Sequence, residues 1–224
     1  DQQNVLSPET LQKYMELQQL FEQLDSAELQ QVMKQMQQAM QQVNREQLQQ
    51  ALQKMTFSEE RFRQSLERTL NLLKRLQIEQ KLDEVKKRAE ALEAQQKDLQ
   101  EQTARAQNDQ GKLNELAKQQ SDLAKQEQRL EEAARDLQKR MEEFFTEMPA
   151  DKMQQLNEQL QGQKIAQSMQ QAGSMMQQGK PQQARAMQQQ AQQQLQQMSN
   201  QLQSMQQEML QQQMQYVMNE MRKA

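Results

Sequence analysis

The chain has 224 residues, 26% charged and 34% hydrophobic, with a formal net charge of −3 and a mean hydropathy of −1.20. It holds 59 Gln against 4 Gly and 3 Pro, and lacks Cys, His and Trp. The usual zinc, haem and iron–sulfur ligand sets are therefore missing, as are Ser–His and Cys–His nucleophile pairs.

A near-neutral charge balance with no clustered basic face argues against nucleic-acid binding. No run of about 18 apolar residues is present, so these residues do not read as a membrane span, and no signal-peptide pattern opens the chain. Because it starts Asp1-Gln2-Gln3, it reads as a piece of something longer, with any membrane attachment in segments outside it. The apolar fraction is too low for one thick core, whereas helix breakers are scarce and strong helix formers abundant. The expected class is all-α: elongated antiparallel helical hairpins or coiled coil, with short helices at the N-terminus.

Three zones follow one another. Residues 1–57 read as short helices packing at the base of the fold. Ser7 then Pro8 is an N-cap followed by N1, and Leu11, Tyr14, Met15, Leu20, Phe21 and Leu24 continue the stripe. Asp25 or Ser26 caps a second helix with Leu29, Met33, Met36, Met40 and Val43. Asn44 with Gln47 opens a third, carrying Leu48, Leu52 and Met55.

Residues 58–148 carry most of the charge, with 18 Lys/Arg and 20 Asp/Glu between 58 and 147. Ser58 caps the helix, with Phe57 and Phe62 in the two positions of a hydrophobic staple. Leu66, Leu70 and Leu73 start a seam that Val85, Leu92, Leu99 and Ala106 continue at seven-residue steps. Leu116, Leu123, Leu130, Leu137 and Phe144 form a second series, and sustained heptads with charged flanks are the coiled-coil signature. One continuous helix would carry a discontinuity in its stripe near Asn108–Gly111. A turn at Gly111 would instead make the helices antiparallel, setting Ile78 against Phe144, Val85 against Leu137, Leu92 against Leu130, Leu99 against Leu123 and Ala106 against Leu116. Gly111, beside Asn108 and Asp109, favours the turn. Gln96, Gln110 and Gln120 lie near seam positions, where polar side chains weaken packing and fix register.

Residues 149–224 read as a Gln- and Met-rich helical hairpin. Pro149 ends the preceding helix, Asp151 can cap the next, and Gly162 is a candidate break. Gly179-Lys180-Pro181 is a helix stop followed by a start. Apolar residues between Gln182 and Gln215 recur at threes and fours, a helical spacing rather than the pattern of a disordered Gln-rich tract.

A bare two-helix pair buries too little, so other helices or another chain are expected to cover Leu72, Leu73, Leu76, Phe144 and Phe145. Met169, Met176, Met198, Met205 and Met209 fit core filling, with a pliable surface for varied apolar partners as the alternative. Spacing in Met33/Met36 and Met214/Met218/Met221 would also suit copper(I), but packing alone demands the same spacing, and no cofactor or metal is expected. Carboxylate pairs such as Glu59/Glu60, Glu131/Glu132 and Glu142/Glu143 sit among cations with no pocket implied, so no enzyme is expected.

The stretch Ser65-Leu66-Glu67-Arg68-Thr69-Leu70-Asn71-Leu72-Leu73-Lys74-Arg75-Leu76-Gln77-Ile78-Glu79-Gln80-Lys81-Leu82-Asp83-Glu84 resembles a bacterial family of large membrane-anchored proteins of unknown function. Those proteins have N-terminal transmembrane segments and a long Gln-rich helical region. Leu6-Ser7-Pro8-Glu9 is similar too, while Asn71 departs from the acidic residue expected there. The resemblance spans roughly residues 5–145. It implies a bacterial cell-envelope location, the periplasmic side favoured, and carries over no functional residue. The expected function is a non-catalytic scaffold or tether presenting helical surfaces to other proteins, further copies of itself among them. The alternative is a chaperone-like module whose Met-rich helices hold apolar client segments.

Overall fold

A computed structural model describes residues 7–23, 59–144 and 148–223, and every regular element among them is α-helical. The helices are α1 (Pro8–Gln23), α2 (Glu59–Arg105), α3 (Gln110–Glu142), α4 (Ala150–Gln163), α5 (Ile165–Gln177) and α6 (Pro181–Lys223). The helices expected at Leu29–Val43 and Leu48–Met55, and the staple side chains of Phe57 and Phe62, lie outside the described residues. The chain forms two compact units, residues 1–77 and 78–224, with α2 contributing to both.

In the first unit Ser7 caps α1 as expected, its Oγ accepting from the Thr10 N–H at 3.3 Å, one of the orphan donors of a helix start. Leu17 and Leu20 of α1 bury against Leu66, Leu70 and Leu73 of α2, with Tyr14 at the edge. Ion pairs Lys13–Glu67, Arg63–Glu9 and Lys74–Glu16 rim this seam. Being half in water, they add little beyond orientation.

The second unit is an antiparallel four-helix bundle. Helix α2 ends at Arg105, Ala106–Asn108 turn, and Asp109 caps α3 by accepting from the Lys112 N–H at 3.0 Å. The chain therefore reverses, and the continuous helix is excluded. Its turn is centred a little earlier than Gly111, which is already helical, because the Asp109 carboxylate supplies a cap and no left-handed residue is needed. The earlier turn also shifts the expected pairing: Gln96 pairs with Gln120, so Leu99 and Leu123 are offset rather than directly opposed, and both border one shallow groove.

The α4–α5 pair forms the third rod and α6 the fourth. Ala117 of α3 lies by Gly173 and Ala134 by Asn157, so numbers rise on one side as they fall on the other. Likewise Lys152 meets Glu208 and Gln159 meets Gln201 across α4 and α6. Thr103 meets Gln188 and Lys86 meets Gln206 across α2 and α6. Each rod is antiparallel to both neighbours, the up-down-up-down arrangement of simple bundles. The hairpins expected at 58–148 and 149–224 thus share a single core, running from Ile78 to Met209.

Two breaks shape the third and fourth rods. Gly162 stays helical with open space around it; the break falls at Lys164, which takes the left-handed conformation (φ 49°). Asp151 lies in the first turn of α4 and Pro149 holds the cap position without a side-chain bond. Gly179 (φ 69°) ends α5 as the sequence predicts. The Lys180 N–H bonds the Met175 carbonyl and the Gly179 N–H that of Met176, a Schellman closure that only Gly adopts without cost.

Candidate functional site

Leu72 and Leu76 are exposed on α2, at 60% and 37%, while Leu73 is buried against α1. Phe144 is buried in the bundle core; Phe145 lies outside the described residues. The cover expected for this group therefore reaches Leu73 and Phe144, and leaves Leu72 and Leu76 open.

Met169, Met176, Met198, Met205 and Met209 are all buried. They fill the bundle interior, in line with the core-filling reading and against the partner-surface alternative; flexible thioethers suit irregular gaps between rods. Exposure moves instead to the far part of α6. Leu210, Met214 and Met218, at i, i+4 and i+8 on one helix face, are each more than half exposed. Met214 and Met218 line a depression with Gln211, Gln213 and Gln215. Glu208 meets Lys152 in the first turn of α4, which starts at Ala150, so this face of α6 runs on beyond the start of that rod.

At mid-bundle the core turns polar. Gln96 and Gln120 exchange amide hydrogen bonds, Nε2 to Oε1 in each direction, at 3.2 and 2.7 Å. Gln188 of α6 donates to Gln120 at 2.9 Å and to the Thr103 hydroxyl at 3.1 Å. The Thr103 Oγ1 lies 2.8 Å from the Leu99 carbonyl and 3.4 Å from the Met176 sulfur. Four rods are thus tied at one level, in the manner of a polar layer that penalises other registers. Gln110, expected near a seam, is exposed and works at a helix end: its amide donates to the Met176 and Gln177 carbonyls, capping α5.

Glu127 is the one acidic side chain among the buried described residues, in the α3 series Leu113, Gln120, Glu127, Ala134, Met141. Neither carboxylate oxygen has a hydrogen-bond partner. Burial, then the adjacent Glu131 carboxylate, push its carboxyl up to about 8; the Ala166 N–H and Arg135 pull weakly the other way. The sequence signal was its heptad position, seven residues after Gln120 and seven before Ala134.

No group of three or more potential metal-ligating acids occurs among the described residues. None of their helices is long and apolar enough to cross a membrane. No family model, curated protein or solved structure matches the chain.

Proposed function

We propose that the chain is a non-catalytic scaffold or tether, part of a membrane-anchored protein of the bacterial cell envelope, with the periplasmic side favoured. Its helical surfaces dock other proteins or further copies of the chain. The observation that carries this reading is the ridge Leu210–Met214–Met218, three large apolar side chains in the open on one face of α6. Leaving such groups in water forgoes roughly 1.5–3 kcal/mol each, and a contiguous patch of this kind marks interaction surfaces. The resemblance through Ser65–Glu84 supports the envelope placement.

The chaperone-like reading loses the five core methionines and rests on Met214 and Met218 alone, since unbranched thioethers accept varied apolar contacts. A photo-crosslinking residue at Met214, expressed in the native host, separates these. A scaffold gives a few discrete adducts that Leu210→Glu abolishes, and a client holder gives a broad smear. Adducts equally strong from buried Met198, or insensitive to Leu210→Glu, would overturn both.

A further inference from the structure

Glu127 sits where α3 packs against the junction of α4 and α5. The junction is weakly built. Lys164 is in the left-handed region, and the start of α5 has no side-chain cap. Its first hydrogen bond is the Ser168 N–H to the Lys164 carbonyl, at 3.1 Å. The Ala166 N–H, in the first turn of α5, is the backbone donor nearest the Glu127 carboxyl, yet no hydrogen bond of normal geometry closes.

Charges on the surrounding elements do not rescue it. On α3, Glu131 is one turn away and its carboxylate is paired with Arg135 at 3.2 Å. On the α4–α5 rod, Lys164 is exposed, and exposed Glu158 accepts from Gln154. On α2, Lys86 is paired with Asp83, Glu90 is exposed and Glu93 half-buried. Helix α6 has no ionisable side chain between Arg185 and Glu208. The cation felt at the carboxylate is Arg135, which is already held by Glu131.

We propose that Glu127 is a proton-controlled latch on the α4–α5 junction: neutral, it lets α5 close on α3; ionised, it opens that junction to water. A buried carboxylate without a partner is costly only when charged, and the uncapped left-handed junction is the segment least able to resist. Opening uncovers Ile165, Met169 and Ala172, which the closed form buries. The proton leaves to solvent as the junction opens and returns when it closes; nothing else is exchanged. This latch does not depend on the scaffold reading.

The test is native-state hydrogen exchange on the full chain from pH 6 to 9. Amides of Ser168–Ala172 are followed against Leu130–Leu137 as a control, with both corrected for intrinsic exchange. Between the carboxyl's open and closed titration points, the opening constant at 168–172 should rise about tenfold per pH unit, levelling above about pH 8. It should be flat in Glu127→Gln. The control amides open only with global unfolding, so they gain the same slope but stay far below 168–172 in opening constant at every pH. Opening of both segments with one constant, or an unchanged slope in Glu127→Gln, overturns the latch. Should that variant fail to fold, 13C NMR of the wild-type Glu127 carboxyl decides: a titration near the ordinary glutamate value would refute it.

Discussion

A close approach of α5 to α3 can be tested with a single side chain. A Cβ built on Gly173 would lie 3.3 Å from the Ala117 carbonyl oxygen and 3.8 Å from Gln120 Cβ. Helix propensity alone favours replacing this glycine: Ala by about 1 kcal/mol and Val by a few tenths. The packing argues the reverse. Ala fits only if α5 withdraws by a few tenths of an ångström from a backbone atom, so its gain is largely cancelled. Val places two further methyl groups where α3 already stands, an overpacking cost of about 1–3 kcal/mol. Gly162→Ala is the matched control, because nothing lies within 4 Å of its Cβ position; it should gain about 0.5–1 kcal/mol. Urea unfolding at fixed pH reads all three, and thermal melts should shift by roughly 2–4 °C per kcal/mol for a unit of this size. If Gly173→Val matches or exceeds wild type while Gly162→Ala behaves as stated, α3 and α5 are not packed this closely.

Lys164→Gly should stabilise the bundle by about 1 kcal/mol by relieving a left-handed residue that has a Cβ, read as a raised denaturant midpoint. Gln120→Leu should cost about 1–3 kcal/mol, because it strands the Gln96 amide inside the core and leaves Gln188 only its bond to Thr103. Replacing Gln96, Gln120 and Gln188 together by Leu should recover most of that loss in the same assay, while loosening register. Stability should also fall as pH rises from about 4.5 to about 8. Across that window the folded state holds the Glu127 proton and the unfolded state has lost it, so the native state binds more protons. The span is worth at most about 5 kcal/mol at 1.36 kcal/mol per unit, and Glu127→Gln should remove that slope from urea midpoints measured across the range.

Much of this architecture was legible because local chemistry dictated it. Ser7-Pro8 and Gly179-Lys180-Pro181 mark helix ends by which backbone groups they satisfy. The leucine series mark buried faces, and Gln96 with Gln120 stood out as polar interruptions of those faces. Heptads, however, say which side of a helix is dry and not which helix keeps it dry, so the merger of two hairpins into one bundle was not visible. The break at Lys164 was hidden for a related reason. Gly162 is the residue best suited to a left-handed turn, but tertiary packing set the kink two positions later. Leu210, Met214 and Met218 look like any other methionine and leucine stripe, and nothing in their spacing says that they stay wet.

Among the described methionines two groups stand at the extremes, with Met148, Met175 and Met187 partly buried between them. Met153, Met169, Met176, Met198, Met205 and Met209 are sealed from solvent, whereas Met15, Met214 and Met218 are each more than half exposed. Peroxide should therefore convert the second group to sulfoxides first, a change peptide mapping would date residue by residue. Because a sulfoxide is polar and reductases can reverse it, the end of α6 could be rendered hydrophilic and later restored, while the interior that holds the rods together stays chemically untouched.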